Sequence, residues 1–98
     1  MNEVARRLEE AIGTQFQRDM NGNPVVREYA TVRNDQRVEG WYFRLDSPFD
    51  DLTNEQIDAA MATFPMVVDG VEYLFGNAAS REWDEDRLWG ASIAFYSK

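Results

Sequence analysis

The chain of 98 residues contains no cysteine, no histidine and one lysine, Lys98. Without cysteine it has no disulfide framework, thiolate zinc site, iron–sulfur cluster or cysteine nucleophile. Without histidine it has no Ser-His-Asp triad, and it lacks the commonest general base and metal ligand. A lone lysine at the last position is a poor candidate for a Ser–Lys dyad or a Schiff base. We therefore expect a protein that is not an enzyme and that has no catalytic residue and no cofactor.

Long apolar runs are also absent. No stretch approaches the ~18 consecutive apolar residues that cross a bilayer, and residues 1–13 carry charges where a signal peptide has its apolar core. We expect no membrane contact and, because cysteine is missing, a cytoplasmic location, the host cytoplasm if the protein is phage-encoded. With only three prolines, six glycines and no repeat or linker, residues 1–98 are expected to form a single compact domain.

The negative charge is concentrated in the second part of the chain. Residues 1–45 contain seven acids and seven arginines, whereas residues 46–98 contain eleven acids against Arg81, Arg87 and Lys98, which accounts for the whole net charge of −8. A region of one sign steers partners of the opposite sign and argues against a protein that neutralises phosphates. The plainer explanation is a solvated acidic surface that keeps a small protein soluble.

The first part of the chain predicts one helix and then an antiparallel meander. Residues 2–12 place Val4, Leu8 and Ile12 on one apolar stripe, and Gly13 follows as a helix C-cap. Residues that favour tight turns then separate three predicted strands, at 14–20, 25–33 and 37–45. In the third strand, alternation predicts one face with Trp41, Phe43 and Leu45 and an opposite face with Val38, Tyr42 and Arg44.

The second part begins with the clearest local signal in the chain, the start of a second helix. Thr53 and Gln56 have the spacing of a capping box, and Pro65 ends the helix. A hairpin or bent strand is expected at 66–75. The stretch 76–88 has the weakest signals, and within it residues 81–87 are expected to form a short helix or an acidic loop. The last predicted strand, 89–97, alternates Trp89, Ala91, Ile93 and Phe95 with smaller or polar residues and carries no charge.

Together these elements give the order α-β-β-β-α-β-β-(α)-β. Neighbouring strands joined by short loops favour antiparallel pairing. The sequence therefore predicts an α+β fold, with a mainly antiparallel sheet of about five strands and two helices packed on one face.

Two acidic segments, 46–58 and 82–86, are the candidate functional residues. Neither has the spacing or the glycine of a calcium-binding loop, so we expect no metal site. The helix macrodipole accounts for acids near the start of the second helix without any ligand. Trp83, within the second segment, either anchors an interface or folds down with Leu88 to cover the core.

Arginines alternate with aromatic residues in the predicted meander, which is typical of some sheets that bind single-stranded nucleic acid. The same region holds Glu28, Asp35 and Glu39, so it carries no net positive charge, and it contains no ribonucleoprotein motif. We expect no direct binding of nucleic acid.

These observations favour a small acidic binding protein. Carboxylates can occupy a basic groove that normally holds a row of phosphates. In size and charge alone, the chain is similar to the DNA-mimic inhibitors that phages and mobile elements direct against host nucleases, including many anti-CRISPR proteins. That similarity implies an inhibitor or modulator of a nuclease or another nucleic-acid-binding complex. The expected contact residues are Asp46, Asp50, Asp51, Glu55, Asp58, Glu82, Trp83, Asp84, Glu85 and Asp86.

Two other functions remain open at this point. The protein could be a structural or assembly component, for example a small virion or oligomeric protein, that associates through an open sheet edge. The uncharged strand at 89–97 would lack the usual protection if it lay at such an edge. Alternatively, Trp41, Tyr73 and Trp89 could line a small-ligand pocket, although no group of polar residues in the sequence indicates which ligand it would bind.

Overall fold

In the computed structural model, which describes residues 1–98 and every side chain except those of Tyr29, Thr31 and Asp84, the chain adopts an α+β fold. Two helices and seven strands follow one another in the order α-β-β-α-β-β-β-β-β. Their bounds are α1 Asn2–Ile12, β1 Arg27–Arg33, β2 Gln36–Arg44, α2 Asn54–Ala62, β3 Met66–Val68, β4 Val71–Ala79, β5 Glu82–Asp84, β6 Arg87–Trp89 and β7 Ser92–Ser97.

Five of the strands form one antiparallel sheet in the order β1-β2-β7-β4-β3, and β5 pairs with β6 in a separate hairpin. The predicted fold class, two helices packed against an antiparallel sheet of about five strands, is confirmed. The last strand, β7, lies between β2 and β4 at the centre of the sheet. Its lack of charge therefore reflects a central position, and the edges of the sheet are β1 and β3.

The apolar side chains of the sheet meet the helices on one face, hereafter the inner face. Trp41 is paired with Phe95 and Phe43 with Ile93 across β2 and β7, and Phe43 stacks on Phe16 with ring centroids 4.9 Å apart. Burial of an aromatic side chain of this size contributes about 1.5–3 kcal/mol, so this cluster anchors the fold. α1 adds its buried stripe, formed by Val4, Ala5, Leu8 and Ile12.

Helix ends follow the sequence signals closely. Gly13 adopts the left-handed conformation with φ 73°, and its N–H donates to the carbonyl of Glu9. At the start of α2, the Thr53 hydroxyl accepts the N–H of Gln56 at 3.1 Å, and the Gln56 side chain accepts the N–H of Thr53 at 2.9 Å. The predicted capping box is therefore present.

The predicted strand at 14–20 is wrong. Residues 14–26 form only two isolated bridges, Phe16 with Leu45 and Arg18 with Pro24. Backbone bonds flank the second bridge, from the N–H of Val25 to the carbonyl of Gln17 and from that of Asp19 to Asn23, but neither bridge continues into a strand. Phe16 instead turns into the core, where it is fully buried, and its N–H donates to the carboxylate of Glu9 at 2.9 Å.

The short helix or acidic loop predicted at 81–87 is also wrong. β4 continues to Ala79, and the β5–β6 hairpin follows, with a turn in which Glu85 has φ 54°. Like charges four residues apart, such as Glu82 and Asp86, disfavour a helix, whereas a hairpin turn leaves them in solvent. Trp89 belongs to β6, so it does not share the inner face with Ile93 and Phe95.

Within the residues that the structure describes, no helix is long and apolar enough to cross a membrane.

Candidate binding surfaces

Hydrogen bonds join the loop after β2 to the start of the β5–β6 hairpin. The Asp51 carboxylate accepts the backbone N–H of Arg81 at 2.8 Å, and the Arg81 guanidinium donates to the carbonyl of Phe49. The chain also comes close at Gly90, where an added Cβ would lie 3.4 Å from the Cα of Pro48. The fold therefore brings the loop of the first predicted acidic segment against the start of the second, although the two are far apart in the sequence.

We call residues 46–58 and 81–87 together the acidic end; they hold nine acids against two arginines. The eight acids whose side chains are described are exposed: Asp46, Asp50, Asp51, Glu55, Asp58, Glu82, Glu85 and Asp86. The side chain of the ninth, Asp84, lies outside the described ones. Glu55 and Asp58 are three residues apart on α2 and therefore face the same side of that helix.

None of these eight carboxylates forms an ion pair with a described side chain. The neighbourhood of α1 is different, because its glutamates are neutralised locally, in the pairs Arg6–Glu3, Arg7–Glu3, Arg6–Glu10 and Arg18–Glu9. The pairing with Arg6 and Arg7 lowers the pKa of Glu3 to about 2. The charge asymmetry of the sequence is therefore also an asymmetry of ion pairing in the fold.

Asp51 has a structural role within the acidic end. The N–H groups of Arg81 and Leu52 both donate to its carboxylate, and these bonds lower the pKa of Asp51 below its ordinary value, while desolvation opposes them and the charge of Arg81 adds a smaller lowering. Asp51 is therefore held as an anion that fixes the loop against the hairpin.

Exposed aromatic side chains accompany the acids. Phe49 and Trp83 are each 69% exposed. Trp83 thus does not cover the core, and of the two roles considered for it, the exposed position is the one observed. Large aromatic groups on the surface are typical of residues that anchor protein interfaces.

The second face of the sheet, hereafter the outer face, has aromatic and arginine side chains that the acidic-segment prediction does not include. Arg33 lies over the ring of Tyr96, with 4.9 Å between its Cζ and the ring centroid. Arg44 lies over two rings, 5.7 Å from that of Tyr42 and 5.3 Å from that of Trp89. The alternation in β2 and β7 places Tyr42, Arg44 and Tyr96 on one face, but only the sheet order and the hairpin bring Trp89 to them.

Two open clefts are described, and the first lies beside this arrangement. One, of about 330 Å³, lies between the outer face and the β5–β6 hairpin and is lined by Tyr42, Arg44, Glu82 and Trp89 among others. The other, of about 630 Å³, is formed along the β1–β2 hairpin and includes Trp41 and three exposed charged residues, Glu28, Arg37 and Glu39.

The pocket considered from the sequence is not formed. Trp41 and Tyr73 do meet, edge to face at 5.9 Å, as part of the core packing on the inner face. Trp89, the third expected member, lines the cleft on the outer face instead.

Among the described residues, no group of three acidic side chains is placed to hold a metal ion. Comparison of the chain with protein-family models, with curated proteins and with solved structures found no match.

Proposed function

We propose that this protein is a small non-enzymatic binding protein that docks through its acidic end on a basic groove of a nucleic-acid-handling protein. The observation that carries the proposal is the hydrogen bond between Asp51 and Arg81, which are 30 residues apart in the chain. That contact joins two acidic segments whose described carboxylates have no ion-pair partner.

Unpaired carboxylates on one end of a small molecule create a directed negative field. Such a field accelerates encounter with a positive surface and disfavours partners of the same sign. Grooves that bind nucleic acid are lined with arginine and lysine because they neutralise phosphates. An array of carboxylates can fill such a groove and exclude the nucleic acid, so the protein would act as an inhibitor or modulator by mimicking DNA.

Complementary charge mainly raises the rate of association and the selectivity for a partner, and it contributes less to the lifetime of the complex. Phe49 and Trp83, which are exposed beside the acids, supply apolar area that a partner can bury. Side chains of this kind carry a large share of the binding energy in many interfaces. We therefore assign them as anchors of the same surface.

The decisive experiment is capture of partners from nuclease-rich lysate, followed by elution with competing duplex DNA. The acidic-end variant Glu82→Gln/Glu85→Gln/Asp86→Asn is compared with a control, Glu10→Gln/Glu28→Gln/Glu39→Gln, which removes three exposed acids elsewhere and therefore changes the net charge equally. We expect duplex DNA and raised salt to release the partner, and only the acidic-end variant to lose it. Capture that withstands duplex DNA, or that both variants weaken equally, would contradict the proposal.

A second candidate is an assembly component that associates through the edge of the sheet. The observation in its favour is β1, a seven-residue edge strand that pairs only with β2 in the sheet. An edge strand of this length presents backbone N–H and C=O groups to a neighbouring chain. Light scattering separates the two candidates, because a monomer at high protein concentration excludes this one.

A further inference from the structure

Arg44 is a cation on the outer face of the sheet that contacts two aromatic rings. It is half-buried, and its guanidinium lies over the rings of Tyr42 and Trp89, at 5.7 and 5.3 Å from the ring centroids. Cation–π attraction to two rings favours this position of the guanidinium group. The N–H donors at the edge of the group keep a fixed geometry.

No described carboxylate lies within ion-pair distance of Arg44. Arg6, Arg7 and Arg18 each have a glutamate partner, whereas Arg44 has two aromatic neighbours. Glu82 lines the same cleft but is not paired with it. A guanidinium with its N–H edge unpaired matches the two oxygens of a carboxylate or phosphate.

The shape of the cleft limits the size of a ligand. Its volume of about 330 Å³ is near the lower end of the ~300–1,000 Å³ typical of small-molecule sites. Ala79 and Ala94 leave room beside Tyr42, while Asn77 and Ser80 add polar groups to the lining. One flat ring with an attached anionic group fits these dimensions.

The surroundings disfavour a polymer of phosphates. The β5–β6 hairpin that forms one wall carries four acids, and the whole chain has a net charge of −8. A long polyanion would extend over that acidic surface and be repelled, whereas a ligand with a single anionic group would be placed directly against Arg44.

We propose that the cleft between the outer face and the β5–β6 hairpin is a binding site for a small planar anion, a flat ring that carries one carboxylate or phosphate group. The anionic group bonds to Arg44, the ring lies against Trp89, and Glu82 accepts a hydrogen bond from a ligand N–H or O–H. The site shares Glu82 with the acidic end, but it does not depend on the docking function proposed for that surface.

The test is an NMR titration that follows the side-chain N–H signals of Arg44 and Trp89. The probes are indole-3-acetate and adenosine 5′-monophosphate, with indole, adenosine and inorganic phosphate as partial ligands. We expect at least one of the two full probes to shift both signals in a saturable way. The partial ligands should bind roughly tenfold or more weakly, because each lacks either the charged hydrogen bond or the ring. Benzoate and phenyl phosphate, which carry the two anionic groups on the same ring, then distinguish a carboxylate from a phosphate ligand.

Variants decide whether Arg44 is responsible. Arg44→Gln should weaken binding of the better probe roughly tenfold or more. Arg44→Lys should retain part of the binding, because lysine keeps the positive charge but lacks the paired N–H donors of the guanidinium group. Arg37→Gln removes an exposed arginine outside this cleft and should bind as the unmodified protein does.

If Arg44→Gln alters the fold, Trp89→Leu replaces it and is expected to weaken binding of both full probes. The proposal is overturned if neither full probe shifts the Arg44 and Trp89 signals at millimolar concentration, or if Arg37→Gln reduces binding as much as Arg44→Gln.

Discussion

The carboxylate of Asp51 accepts the backbone N–H of Arg81 at 2.8 Å and so connects the loop before α2 to the β5–β6 hairpin. This single contact gives an acidic residue a structural role within a surface made of acids. Its neighbour Asp50 is exposed and makes no side-chain hydrogen bond to the described residues. Acids in the same segment therefore divide into one that holds the surface together and others that are available to a partner.

Asp51→Asn is expected to destabilise the protein at neutral pH by about 1 kcal/mol, since the hydrogen bonds to a charged acceptor become bonds to a neutral one. Because folding lowers the pKa of Asp51 below 3.8, the charged form contributes stability above that pH. The contribution is lost as the pH falls through the lowered pKa of the folded state. Urea denaturation at several pH values should show the difference between the variant and the unmodified protein shrinking below about pH 4. Asp50→Asn is the matched control and should change stability little at any pH; an equal loss in both variants would argue against the assigned role of Asp51.

The sequence predicts those features of the fold that depend on residues close together in the chain. The capping box at Thr53, the left-handed Gly13 and the alternation of Trp41 and Phe43 all depend on residues close in the chain, and the structure has each of them. The strand predicted at 14–20 is absent because Phe16 bonds to Glu9 and bridges to Leu45. The alternation of apolar and polar residues within 14–20 carries no information about either partner.

For the candidate surfaces too, the sequence predicts the residues but not the tertiary contacts that bring them together. The charge distribution in the sequence predicts the acids of 46–58 and 82–86 as candidates. The contact between their two segments depends on the tertiary hydrogen bond between Asp51 and Arg81. The cleft around Arg44 was not predicted, because Trp89 continued the apolar alternation of the last strand. The break at Gly90, close to Pro48, moves Trp89 to the outer face.

Thr53→Ala removes the hydroxyl that accepts the N–H of Gln56 in the capping box on α2, while the backbone N–H that donates to the Gln56 side chain is kept. We expect a loss of about 1 kcal/mol in the free energy of unfolding, the usual cost of deleting an N-cap side chain. The control is Asn54→Ala, one residue further on, where no side-chain bond is broken and alanine suits the helix. Thermal and urea denaturation of both variants measure the effect, and an unaltered Thr53→Ala protein would show that packing alone holds the start of α2.

Glu9 links α1 to the segment that follows it. Its carboxylate accepts the N–H of buried Phe16 at 2.9 Å and pairs with Arg18 at 2.7 Å, while its side chain is only 13% exposed. Glu9→Ala leaves the Phe16 N–H without an acceptor, so we expect a loss of about 1–3 kcal/mol. Glu10→Ala removes an ion pair with Arg6 whose carboxylate side is 69% exposed, and should cost no more than about 0.5 kcal/mol. Equal losses in urea denaturation would mean that surface charge, and not the bond to Phe16, is the cause.

Phe43 and Phe49 provide a test of where the fold gains its stability. Phe43 is fully buried on the inner face and packs against Phe16 at 4.9 Å and Phe95 at 5.3 Å, whereas Phe49 is 69% exposed at the acidic end. Phe43→Ala should therefore cost about 3–5 kcal/mol, because it removes buried area and leaves a cavity between two rings. This loss approaches the whole stability of a domain of this size, so Phe43→Leu serves where the alanine variant does not fold and should show a smaller loss. Phe49→Ala should stay within about 0.5 kcal/mol while weakening the proposed docking interaction. A Phe49→Ala protein as unstable as Phe43→Leu would place Phe49 in the core packing and remove it from the proposed surface.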